Sequence, residues 1–155
     1  MNIDWENWKP GDSDAQEIAA RKGWLREGLS RQGIVFPGME EVHLDELAAI
    51  VSAALGQGSA EAKVVKEVVT QMGVEKTLAK SLVHFATALA QSQRSLSSYF
   101  ELPDMKVEWD SSGCCDICDK NDNHPVKAGE NFPSGHQLPP ACEYCICAIM
   151  PFFED

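Results

Sequence analysis

The chain reads as a mainly α-helical protein closed by a small β module. Three observations predict this class. Apolar residues recur at helical spacing through four segments that end near residue 99. After that point the spacing switches to short alternation, as in Met105-Lys-Val-Glu-Trp109. All six cysteines then fall late, with Cys115-Asp-Ile-Cys118 answered by Cys142-Glu-Tyr-Cys145-Ile-Cys147.

The helices follow in order. Residues 1–12 hold Trp5, Trp8 and Pro10 without a period. They admit two readings, a terminus pinned on the body or an arm that inserts its tryptophans into a neighbouring subunit. Asp14 has the character of a helix N-cap, and Glu17 three residues later completes a capping box. Ile18, Leu25 and Leu29 continue that helix, and Gly33 stops it. Ile34 to Gly38 is short and apolar, a linker or an edge strand. The second helix is expected over residues 44–55, with Leu44, Leu47, Val51 and Ala54 on one face. Ser59 is expected to cap a third helix carrying Val65, Val68, Val69 and Met72, and Gly73 closes it. The valine pairs would suit a strand, but their spacing is 3.6 and not 2. A fourth, longest helix is expected over residues 75–99, with Leu78, Leu82, Phe85, Ala86, Leu89 and Leu96 in a stripe. Its second half, Gln91 to Ser98, is polar apart from Leu96 and reads as a surface for a partner. Pro103 is incompatible with further helix.

Beyond it, Met105–Trp109 reads as a strand, residues 110–113 as a turn and residues 121–140 as an aperiodic loop. Residues 147–153 are apolar and read as a last strand beside Met105–Trp109. The expected organisation is an arm and first helix (1–40), a helical domain (41–103) and a metal-binding module (104–155).

The chemistry lies in that module. A Cys-x-x-Cys turn aims two sulfurs at one point, and two such turns make a tetrahedral thiolate cage. Zn²⁺ suits it, being d¹⁰, four-coordinate and tolerant of soft ligands. Twenty-three residues separate Cys118 from Cys142, slightly more than the roughly 15–20 usual for this pattern. The fold class is therefore a helical body followed by a four-cysteine zinc knuckle or ribbon. The expected ligands are Cys115, Cys118, Cys142 and Cys145, with Cys147 as the alternative to Cys145. Two residues apart on a strand, those last two would point the same way. Cys114 is expected to point away as a free thiol. His124 and His136 are competent ligands by type but stand in loop contexts; His43 and His84 lie on expected helices. Four thiolates leave the ion with a charge of about −2 and no open position, so its role is structural and not catalytic. No phosphate-binding glycine loop and no supported nucleophile–base constellation is present, and the chain is not expected to be an enzyme.

Charge restricts the partners. The formal net charge is −11, which repels phosphate backbones and anionic membranes. From Cys114 onward only Lys120 and Lys127 oppose Asp116, Asp119, Asp122, Glu130, Glu143, Glu154 and Asp155. A nucleic-acid-gripping zinc ribbon needs the opposite balance. The N-terminus shows no signal-peptide pattern and no apolar run is long enough for a membrane span, so a reducing compartment and unpaired thiols are expected.

From about residue 44 to residue 151 the order of parts resembles the C-terminal region of the phage Mu F-like minor head proteins. The carriers are Val107-Glu-Trp109-Asp110, then Cys115-Asp-Ile-Cys118, then Leu138-Pro-Pro-Ala-Cys142-Glu-Tyr-Cys145-Ile-Cys147. The chain departs from the family pattern in having Cys142 where a histidine is usual, and Ser112 and Gly113 where an arginine is common. The resemblance implies a structural head-morphogenesis protein that docks on portal or major capsid subunits, found in the virion and, during assembly, in the host cytoplasm. A homo-oligomer is a further expected partner, and from the charge no direct grip on nucleic acid and no membrane contact are expected. A cytoplasmic zinc-dependent regulatory or nucleic-acid-binding adaptor is the alternative.

Overall fold

The computed structural model describes residues 15–153 except 103, 112, 114 and 144, with side chains from residue 21 onward. The expected cap at Asp14 and the tryptophans Trp5 and Trp8 lie outside the described residues. The fold is mainly helical with one small antiparallel sheet. The chain forms two compact units that meet in sequence between Thr87 and Ala88, within a single helix.

In the first unit, α1 runs Ala15–Gln32, α2 Leu44–Gln57, α3 Glu61–Met72 and the opening of α4 from Lys76. The expected spacings work here because most of each stripe buries, although Leu44, Val69, Met72 and Leu78 are only half-buried. Leu25 and Leu29 of α1, Leu47 and Val51 of α2, Val65 and Val68 of α3, and Leu82, Phe85 and Ala86 of α4 are all buried. An ion pair of 2.8 Å joins Arg26 on α1 to Asp45 at the start of α2. The Arg21 guanidinium donates to the Ser52 carbonyl of α2 at 3.4 Å.

Residues 34–38 form a linker and not a strand, because Phe36 turns inward while Ile34 stays exposed. The Phe36 ring meets Phe85 edge-on with centroids 5.7 Å apart. A 3₁₀ turn, Met39–Glu41, follows. Ser59 is not the cap of α3; that position belongs to Ala60, which offers no side-chain bond. Ser59 is occupied in ending α2 instead: its amide donates to the Ala54 carbonyl at 3.0 Å, past Gly58 in the left-handed region at φ +66°.

The second unit begins within α4, which ends at Tyr99, four residues short of Pro103. The polar half of α4 does not simply face outward for a partner, because Ser92, Gln93 and Ser97 are buried. Ser97 becomes compatible with burial by donating its hydroxyl to the Arg94 carbonyl at 2.7 Å. Strand β1 runs Lys106–Asp110 and pairs antiparallel with β3, Ala148–Phe152. The expected pairing of the last apolar segment with the strand ending at Trp109 is therefore present. A two-residue strand, β2 (Val126–Lys127), pairs with the other side of β1, so β1 is central and β3 an edge. Burial alternates along β1, with Val107 and Trp109 inward. Trp109 meets Phe132 edge-on at 5.2 Å, and Leu138, Ala141 and Ile149 are also buried in this region. No described helix is long and apolar enough to cross a membrane.

Candidate metal centre

The first cysteine turn is a short helix, α5, over Asp116–Asn121, and not the bare turn its spacing suggests. Cys115 caps it: its Sγ accepts from the Cys118 amide at 3.4 Å. That bond folds the two cysteines toward each other, and their sulfurs lie 3.2 Å apart. The second turn is closed by the Cys145 amide donating to the Cys142 carbonyl at 3.2 Å. Each Cys-x-x-Cys is thus closed by a local hydrogen bond, and in the first the two sulfurs face each other.

The loop between the turns is tied down by side chains that spacing does not reveal. Buried Asn121, the last residue of α5, donates to the Ser134 hydroxyl at 2.8 Å and accepts from the Ser134 amide at 3.0 Å. Ser134 Oγ lies 2.9 Å from His136 Nδ1. Gln137 donates to the Gly129 carbonyl at 2.8 Å. The only signal in the sequence is a polar, glycine- and proline-rich stretch. The contacts span 8 to 13 residues and have no period.

Five thiols result in one place. Cys115, Cys118 and Cys142 form one group with sulfurs all within 4.8 Å of one another; Cys118, Cys145 and Cys147 form a second. The Cys118–Cys145 separation is 3.5 Å, and none of the five is in a disulfide. The structure therefore brings together all four expected ligands and the alternative, Cys147. The strand argument for Cys147 does not hold, since β3 starts at Ala148 and residues 145–147 are not in a strand. Cys147 arrives through the loop. Neither His124 nor His136 belongs to these groups among the described residues; His124 is exposed and His136 bonds Ser134. His43 stands at the N-cap position of α2, and Cys114 lies outside the described residues.

The donor chemistry fits a thiophilic cation. The groups contain sulfur only, with no carboxylate or imidazole among the described members. In a tetrahedral zinc–thiolate shell with Zn–S of about 2.3 Å, sulfurs stand roughly 3.8 Å apart. Contacts of 3.2 and 3.5 Å are close to that edge. The cysteine cluster can hold a metal ion.

Electrostatics in the metal-free state run the other way. Burial pushes the Cys118 thiol up strongly, and its bonds to Cys115, Cys145 and Cys147 add to the effect. Burial likewise raises Cys145, partly offset by backbone bonds from Ala141 and Cys147. Without a cation these two sulfurs stay protonated; a cation at their centre reverses the preference, since a coordinating thiol is deprotonated outright.

In comparisons with known proteins, no family model, no curated protein and no solved structure matches the chain.

Proposed function

We propose that the cysteine cluster holds one structural Zn²⁺ and that the chain is a structural phage protein of the minor head, head-morphogenesis type. The observation that carries the metal reading is the convergence of Cys115, Cys118, Cys142, Cys145 and Cys147 from two turns far apart in sequence. Zinc is favoured over other ions because the donors are all thiolates and the ion needs no redox partner. The head-protein reading is supported by the order of parts, helices, a strand ending in Trp109, then the two cysteine turns. It is also supported by the acidic charge, which turns the chain away from nucleic acid.

In this reading Cys115 and Cys118 on the α5 turn, with Cys142 and Cys145, hold the ion, and the ion supplies cross-linking and no chemistry. The chain's own work is to present a fixed surface to portal or major capsid subunits, in the virion and in the host cytoplasm as heads assemble. The chain has no catalytic role of its own.

Two measurements test this. Elemental analysis of the purified, untagged protein is expected to give one zinc per chain. Oxidised sulfurs and no metal would overturn the metal reading. Fractionation of infected cells is expected to place the protein in proheads or virions with portal or capsid protein; a free monomer absent from particles would overturn the head-protein reading. Binding to DNA or RNA that weakens steeply with salt would favour the adaptor alternative.

A further inference from the structure

Five thiols stand where a tetrahedral ion takes four, and they are not equivalent. Cys118 and Cys145 are 0% and 2% exposed, whereas Cys115, Cys142 and Cys147 are each partly exposed. The two buried sulfurs are 3.5 Å apart, a ready edge for a coordination tetrahedron. The outer thiols reach that edge differently. Cys115 and Cys142 share a group with Cys118, and Cys147 shares one with Cys118 and Cys145.

We infer that a single ion rests on the buried Cys118–Cys145 pair and completes its shell with any two of Cys115, Cys142 and Cys147. This rests on the zinc reading above. It changes the ligand assignment, because Cys147 then substitutes for an outer cysteine and never for Cys145.

The physical reason is the cost of leaving each thiol unligated. An outer thiol set free by the ion turns a partly exposed side chain toward water. A buried thiol set free has no water to turn to, and a close-packed interior does not repack for it at low cost. Three ligand sets of similar energy follow, all with the same two buried members. The shell keeps four thiolates and a charge of about −2 in each, so no set is favoured by charge. The consequence is a metal site that survives chemical loss of one outer sulfur, whether by oxidation or by alkylation. A fixed cage of four has no such reserve.

The test uses the full chain and zinc itself, with stoichiometry read by native mass spectrometry and affinity by competition with a chromophoric chelator. Wild type is expected to bind one zinc. Cys115→Ser, Cys142→Ser and Cys147→Ser are each expected to bind one zinc about threefold more weakly, since two of three equivalent ligand sets are gone. Cys118→Ser and Cys145→Ser are expected to lose it. Because the buried variants also threaten folding, a second measurement uses the unmutated holoprotein. Brief iodoacetamide treatment, mapped by peptide mass, is expected to label Cys115, Cys142 and Cys147 partially and alternately, leaving Cys118 and Cys145 unlabelled and zinc bound.

An outer variant weakened more than about a hundredfold would overturn the inference, because that is the loss of an irreplaceable ligand. So would Cys145→Ser with wild-type affinity, two zinc ions per wild-type chain, or complete protection of all five thiols. In each of those cases zinc still binds wild type, so the cluster remains a zinc site, although two ions would also correct its stoichiometry. Wild type that binds no zinc removes both.

Discussion

The two units of this chain solve the same problem with different means. The first buries aliphatic and aromatic side chains from four helices, among them Leu25, Leu29, Leu47, Val51, Val68, Leu82 and Phe85, each at 1% exposure or less. The second buries Ser92, Gln93, Ser97 and Asn121 along with a smaller apolar set. Its loop from residue 121 to residue 140 is held by side-chain hydrogen bonds rather than by packed stripes. Apolar burial contributes roughly 25 cal/mol per Å², whereas a typical intramolecular hydrogen bond contributes a net ~0.5–1.5 kcal/mol. The first unit can be stable on hydrophobic burial. The second is the one in which a cross-link has most to add, and it is where the thiols gather.

The sharpest way to break that contrast is to remove the metal. Chelation, or Cys118→Ser, is expected to unfold the region from residue 104 onward while α1–α3 keep their structure. The scale is set by structural zinc in small modules, on the order of 10–16 kcal/mol at pH 7. Hydrogen exchange with and without chelator checks this; equal loss of protection in both units would show that the metal supports the whole chain.

Acidity gives the next largest effect. The zinc form holds thiolates, so protons compete for the sulfurs and the second unit is expected to lose zinc and structure as pH falls. Chelated protein, whose second unit is already unfolded, is expected to show no such acid transition. Circular dichroism against pH, with and without chelator, checks this.

Phe85→Ala tests the other unit. The ring is buried and meets Phe36, and its removal is expected to cost the first unit about 3–5 kcal/mol. Zinc content of the variant should be unchanged. Gly129→Ala is a smaller probe of the second unit. Gly129 sits at φ +90°, and a Cβ there would stand 2.9 Å from Phe100. A loss of about 1–3 kcal/mol is expected in denaturant titration. Smallest is Arg26→Ala, which removes a solvent-exposed ion pair with Asp45. A change of at most about 1 kcal/mol is expected, shrinking further in high salt.

The same division explains what the sequence could reveal. Helices of the first unit are legible because one periodic stripe both forms a helix and buries it. The tight cysteine turns are legible because sulfur spacing implies a common point. In the second unit the decisive contacts have no period. Gln91 to Ser98 looks like an outward surface because its residues are polar, yet Gln93 and Ser97 are buried. Asn121 finds Ser134 across a loop, and the two residues of β2 are too few to leave a pattern. Even Cys147 joins the cluster for a different reason than alternation suggests, because the strand begins one residue later. Only its membership in the cluster is readable from spacing.

One small feature of the sheet bears on how anything could dock there. β3 lies at the rim, and Pro151 stands in it opposite Val107. Proline has no amide hydrogen, so an incoming extended segment would meet a gap in the ladder near the strand's end. Such gaps blunt the tendency of bare sheet rims to recruit other chains indiscriminately. A partner on this side is steered toward grasping the side chains of Ile146, Met150 and Phe153, which protrude around it, and away from extending the sheet.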